Sequence, residues 1–187
     1  MLDAATEVFW RHGYDGASLE ELTAAMGLNR PSLYAAFGNK HDLFIAVLDH
    51  YGAGAGRKPI AAFDAEDNIT AAVRAFLEIS LKGNTRRNGA RGCLFACCAS
   101  TSAGSSPEVR KRLSAAYEAT EARLRTRFRA EAAAGRLPAE PSPEVRAAHI
   151  IDLMNAQAIR ARAGASRANL MAALEDRVAA VLREGKK

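Results

Sequence analysis

No run of apolar residues in the 187-residue sequence approaches the roughly 18 that a membrane-spanning helix needs. A charged start followed by an apolar leader core is also not visible, so a cytoplasmic protein that avoids membranes is expected. β-Branched residues are scarce and no segment alternates apolar with polar residues, so a sheet is not expected. Cysteine is confined to Cys93, Cys97 and Cys98. An odd, clustered set makes a poor disulfide framework and fits a reducing compartment. The paired CxxC spacing of a structural zinc site is missing. There is no phosphate-cradling glycine loop, no Ser/His/Asp pattern and no convincing carboxylate pair. No cofactor and no resident metal are implied, and an enzyme is not expected.

What the chain does have is alanine and charge. Hydrophobic residues make up 49% of the sequence, enough for a sizeable core, and the alanine bias favours helix. The net charge of +5 is unevenly placed. Residues 1–51 carry three Lys or Arg against seven Asp or Glu, a net of −4; residues 52–187 carry 23 against 14, a net of +9. Domain sums alone would put nucleic acid on the C-terminal part. The position of a few charges matters more, and most C-terminal arginines are expected on solvated helix faces.

The helical pattern is punctuated by glycine and proline. Residues 2–12 carry an apolar stripe of Leu2, Ala5, Val8 and Phe9, with Trp10 beside it, and stop at Gly13. Ser18 followed by Glu21 reads as a capping box opening a short helix whose Leu19, Leu22 and Met26 face inward. Gly27 breaks that helix, and another begins near Asn29 with Pro31 in its first turn. A further helix at about 40–51 buries Leu43, Phe44, Val47, Leu48 and Tyr51. The stretch Gly52 to Pro59 (GAGAGRKP) reads as a linker, which sets a boundary between residues 1–51 and 52–187. Beyond it, helices are predicted over 65–83, 92–102, 107–134, 143–163 and 167–184, with Ser106, Ser142 and Ser166 as caps. The fold class is all-α: an N-terminal three-helix helix-turn-helix domain plus a larger C-terminal helical domain, about nine helices in total.

Two short helices crossing at Gly27, with Leu22, Met26, Leu28 and Leu33 at the inward offsets, form a helix-turn-helix. Here the chain resembles the TetR family of bacterial repressors over about residues 2–51. The resemblance is carried by FWRHGYDGAS, MGLNRPSLYAAF and GNKHDLF. Thr23 departs from the family's small alanine at the helix crossing, and its hydroxyl is expected to bond a carbonyl one turn back. The family's basic arm before the first helix is also not seen. The resemblance implies a double-stranded DNA partner, with Tyr34 and Lys40 on phosphates and Ser32 on the backbone. Ser18 and its helix start would offer a second phosphate site. Arg30 would read a guanine edge, Asn29 and Ala35 would face bases, and Pro31 would touch a thymine methyl. Recognition helices of a dimer would lie about 34–36 Å apart on a near-palindromic operator.

In the C-terminal part, apolar stripes on the last two helices exceed what one chain of this size easily buries. They point to a two-fold four-helix interface of Val145, Ile151, Leu170, Leu174, Val178 and Val181, and the resemblance implies the same homodimer; the alternative is that the stripes are ordinary intramolecular core. Phe63, Phe76, Phe95, Tyr117, Phe128 and Met154, with Leu77, are candidates for an apolar cavity, which in the family holds a small-molecule effector. Cys93 and Cys97 sit four apart, with Arg91 adjacent and Arg86 and Arg87 upstream. A helix start and nearby cations both favour thiolate, and the segment resembles that of thiol-sensing members. The alternatives are a metal site with His149 or plain buried cysteines. For the whole chain, the alternatives are a helical interaction protein without DNA binding and a Cys93-dependent enzyme.

Overall fold

The computed structural model describes residues 1–86 and 91–183, and among these every regular element is a helix. In chain order these are α1 (Leu2–Gly16), α2 (Leu19–Met26), α3 (Arg30–Phe37), α4 (Lys40–Ala53), α5 (Lys58–Asp64) and α6 (Ile69–Asn84). There follow a π-helical turn (Phe95–Ala99) running into α7 (Ser100–Ser102), then α8 (Pro107–Ala133), α9 (Pro143–Arg162), α10 (Arg167–Met171) and α11 (Leu174–Leu182).

Local chemistry explains most of these limits. Gly13 (φ 76°) interrupts α1 with a conformation that side-chain-bearing residues rarely adopt. Ser18 and Glu21 form a complete capping box at α2, and Gly27 ends it left-handed. Asn29 caps α3, Asn39 caps α4 and Asn68 caps α6, each accepting backbone N–H groups through its side-chain oxygen. Thr23 is buried and donates its hydroxyl to Leu19 O at 2.8 Å, so the larger residue is accommodated as expected.

Three segments differ from the sequence expectation, the first being the helix predicted over 92–102, which is a π-helical turn (Phe95–Ala99) followed by the three-residue α7. The linker is helical at both ends: α4 runs to Ala53, a 3-10 turn covers Ala55–Arg57, and α5 starts at Lys58. Pro59 opens α5 where its missing N–H costs nothing, and buried Pro59 and Phe63 anchor it. The last helix is broken into α10 and α11 around residues 172–173.

One core packs Phe9, Trp10, Leu22, Leu33, Phe44, Leu48 and Tyr51 against Cys93, Leu94, Cys98, Val109 and Ala158. Residues 1–51 therefore share a core with the rest of the chain. A second core joins α5, α6, α8, α9 and α11 through Phe63, Phe76, Phe128, Ile150 and Val178. This core takes four of the six residues expected at a dimer face, and Leu170 packs in a smaller cluster with Leu81 and Ala161. Ile151, Leu170, Leu174, Val178 and Val181 are buried inside the single chain, and Val145 alone of the six is exposed. The chain absorbs its own stripes by closing α11 onto α6 and α9.

Arg146, 1% exposed, departs from the expectation of solvated arginines. Its guanidinium donates to the carbonyls of Pro141 and Glu140 (2.9 Å each), Pro138 (3.2 Å) and Val181. It thereby satisfies the irregular backbone before α9 and ties it to the end of α11. Glu131 is also buried, held by Arg127 Nε at 2.6 Å and Arg136 Nε at 2.7 Å.

Two stability predictions arise from these groups. Arg146→Leu strands the buried Val181 carbonyl and three part-buried ones and should cost about 3 kcal/mol in denaturant unfolding. The hydrogen bond from Arg136, reinforced by Arg127, holds the Glu131 carboxyl below its usual range against the opposing effect of burial. A carboxyl lowered on folding stabilises the protein above its unfolded pKa, and this is lost as pH falls through the folded value. Glu131→Gln should therefore lower the melting temperature at neutral pH, and the gap to the parent should close on acidification.

Candidate nucleic-acid interface and its neighbouring cavity

The helix α3 is built to project. Leu33 is its one buried residue and Phe37 is half-buried, while Arg30, Pro31, Ser32, Tyr34, Ala35 and Ala36 are exposed. Tyr34 is 44% exposed, an unusual state for an aromatic residue next to a packed core. Lys40, half-buried at the start of α4, lies with Nζ 4.8 Å above the Tyr14 ring and 3.5 Å from Asp15 O. The face thus gathers a planar cation, a phenol hydroxyl, a small hydroxyl and an ammonium.

Two of the expected DNA-contacting side chains are already engaged. Asn29 is exposed, but its Oδ1 accepts the Ser32 N–H at 2.8 Å, which leaves only its amide nitrogen for a base. Ser18 Oγ accepts from Glu21 N at 3.1 Å, and both the hydroxyl and the N–H of Ser18 donate to the Glu21 carboxylate. That carboxylate occupies the start of α2, where an incoming phosphate would meet like charge.

A cavity of about 1130 Å³ opens on the other side of this unit. Its wall includes Trp10 of α1, Tyr51 of α4, the start of α5, and residues of α6 and α8. Phe76, Phe95, Tyr117 and Met154 line it as expected from the sequence. Phe63, Phe128 and Leu77 do not. They are fully buried in the core behind the wall, where the Phe63 ring lies 6.5 Å from Phe76 and 6.2 Å from Phe128.

Trp10 is the joint between cavity and interface. Its indole N–H donates to Gly92 O at 3.1 Å, the Arg86 guanidinium lies 4.2 Å above its ring, and Tyr51 meets it edge-on at 5.2 Å. Its carbonyl, just before the Gly13 break, accepts from Arg162 at the end of α9 and lies 3.5 Å from Cys98 Sγ. Arg162 also reaches Arg11 O at 3.0 Å. The sequence singled out neither Arg162 nor Asn84, another wall residue, and it took Trp10 only as part of a stripe. A long-range bond to a backbone carbonyl leaves no local pattern to read.

Cys97 departs from the expectation of a thiolate, and Cys93 faces a buried phenol. Cys93 lines the cavity with its thiol 3.5 Å from the Tyr51 hydroxyl, whose own pKa burial pushes up. The nearby cations are committed elsewhere: Arg91 donates to Ala165 O, and Arg86 pairs with Glu7 at 2.6 Å. Arg87 lies outside the described residues. Burial raises the Cys97 thiol and pushes Cys98 up to about 12, so both stay protonated at neutral pH. Among the described residues no group of three His, Cys, Asp or Glu side chains converges as a metal site.

Comparisons with known proteins agree with this geometry. Residues 1–47 match the family of bacterial regulatory proteins of the TetR type, and residues 70–185 match the tetracyclin repressor-like C-terminal domain. The transcriptional repressor ComR of Escherichia coli is 30% identical over 175 residues, covering 91% of this chain and 81% of that protein. A structure of the TetR-family regulator CifR, a cysteine variant complexed with a 26-base-pair operator duplex, is 35% identical. It superposes with a TM-score of 0.86 and covers 96% of this chain and 94% of that one. A regulatory protein TetR from Rhodobacter sphaeroides superposes at 0.82 with 25% identity, covering 97% of this chain and 96% of that one. The chain is therefore a member of the TetR family of DNA-binding transcriptional regulators, and not an enzyme.

Proposed function

We propose that the protein is a repressor that binds a near-palindromic operator as a homodimer through α3 and leaves it when a small molecule occupies the cavity. The observation that carries the reading is the exposure of nearly all of α3 around a single buried anchor, Leu33. In this reading residues 1–51 form the DNA-binding unit and 52–187 the ligand-binding and dimerisation unit. Tyr34 and Lys40 hold phosphates, with Ser32 beside them, and Arg30 reads a base edge in the major groove. Pro31, Ala35 and the amide nitrogen of Asn29 add apolar and polar contacts; Ser18 serves as a cap.

The dimer surface moves to the opposite side of the same helices. Val145, Ala148, Ala156 and Ile159 form an exposed stripe along α9, with exposed Ala172 and Ala179 on the neighbouring C-terminal segment. Val145 and Ile159 are 55% and 58% exposed, large apolar side chains two heptads apart on one helix face. A two-fold axis through this stripe would bury both at once.

Release follows from the shared wall. A ligand that moves Trp10 or Tyr51 moves α1 or α4, and these two helices carry α2 and α3. Cys93 on the same wall gives a second route, since a thiol-reactive molecule in the cavity would meet it there.

Gel-shift titration against a selected operator tests the interface. Lys40→Ala should weaken binding on all sequences and reduce the log–log salt slope by about 1. Tyr34→Phe should cost about 1 kcal/mol with the slope unchanged. Arg30→Ala should relax preference at one base per half-site by about 1–3 kcal/mol; unchanged affinity and preference would remove its role. Ile159→Glu should yield a monomer by light scattering, and a dimer surviving that change would contradict the α9 stripe.

A further inference from the structure

The chemical class of the effector is written in the charges and orphan groups of the cavity wall. Five cations line it, Arg57, Lys58, Lys82, Arg86 and Arg123, against one carboxylate, Asp64. That carboxylate is already held by Arg123 Nε, 3.1 Å from both oxygens. Lys82 pairs with Glu78 and Arg86 with Glu7, but Arg57 and Lys58 have no ion-pair partner among the described residues. A cationic ligand would find no free counter-charge on this wall, whereas an anion would find two uncommitted cations at its rim.

A second, independent feature lies deeper. Asn84 is 4% exposed and lines the cavity, yet its Nδ2 has no hydrogen-bond partner among the described residues. Its backbone oxygen is separately engaged, accepting the Gly92 N–H at 2.8 Å. A buried donor without an acceptor is costly, and a ligand oxygen would relieve it. The other deep polar groups offer less: the Tyr51 hydroxyl faces Cys93 and the Tyr117 hydroxyl donates to Asn155 at 3.1 Å. Phe76, Phe95 and Met154 supply apolar faces for the body of a ligand.

We propose that the cavity takes a small organic acid: a largely apolar molecule whose carboxylate faces Arg57 and Lys58 and whose acceptor oxygen satisfies Asn84. This rests on reading the cavity as the effector site. The ligand's hydrocarbon part would lie against Trp10, the chain's single tryptophan, so binding is readable in intrinsic fluorescence.

The test titrates the full-length protein with short alkyl and aryl carboxylates bearing a second acceptor oxygen, among them 3-(4-acetylphenyl)propionate, and with the matched amide, alcohol and amine of that acid. Tryptophan quenching reports binding, and gel shift reports operator release separately. The expected result is that at least one acid binds about tenfold or more tighter than its amide and alcohol, with no binding of the amine. The exposed double change Arg57→Glu with Lys58→Glu should abolish that preference, and Asn84→Asp should weaken the acid further than the alcohol. Two results would overturn the proposal: no acid of the series binds at millimolar concentration, or the amine or alcohol binds as tightly as the acid. If a neutral or cationic analogue binds and releases the operator, the effector reading stands and the acid assignment falls. If an acid binds and the operator stays bound, the ligand class stands and the effector reading falls.

Discussion

The architecture depends on how Trp10 is held. This residue belongs to the first helix of the DNA-binding unit, yet its N–H, ring face and carbonyl are engaged by Gly92, Arg86 and Arg162 of the C-terminal part. Tyr51 closes on it from α4 and places a hydroxyl beside Cys93. The small helices α2 and α3 bury too little by themselves to fix their own orientation, since α3 contributes one buried side chain. Their position is set by α1 and α4, and those helices are in turn set by contacts around the cavity. Further ties run from α4 to α8, through Arg112 to Asp49 at 2.9 Å and His41 to Ser106 at 3.1 Å. In the proposed reading, ligand and DNA compete through one packed layer rather than through a flexible linker.

This organisation resolves the charge problem posed by the sequence. A unit of net charge −4 is a poor candidate for nucleic-acid binding if charge is averaged over it. Averaging ignores where the carboxylates stand: Glu21 lies at the start of α2 and Asp42 beside Asn39, neither of them on α3. The exposed face of α3 carries Arg30 and no carboxylate, and Lys40 stands at its far end. Local placement, with contacts closer than a Debye length, governs what a phosphate meets. The excess positive charge of the C-terminal part serves other ends, among them the fixing of carbonyls by Arg146 and Arg162 and the charge on the cavity rim.

The elements legible in the sequence are those whose signals are local. The Ser18–Glu21 box, Gly27, the cap of Asn29 with Pro31, and the Thr23 hydroxyl bond each act within one helical turn. Phe76, Phe95, Tyr117 and Met154, read as candidates from their residue type, come together on the cavity wall from four different elements. What was not legible depended on partners far along the chain. The glycines of Gly52 to Gly56 masked the helix start at Lys58 and Pro59, because nothing local shows that Phe63 will find a core. The stripes of α9 and α11 read as an intermolecular face because nothing local shows that both will pack on α6. Phe63 and Phe128 were taken for the wall when they stand behind it. Arginines looked solvated because their acceptors are backbone carbonyls, which carry no sequence identity.

The most direct test of the shared layer uses Trp10 as both lever and reporter. Saturate the protein with a ligand that quenches the Trp10 emission, then add operator duplex while following that emission. If cavity and interface are coupled through α1, DNA binding expels the ligand and the emission returns to that of the operator complex formed without ligand. By linkage, the factor by which operator weakens the ligand must equal that by which ligand weakens the operator. Full operator binding with the quenched emission and ligand affinity unchanged would contradict the account.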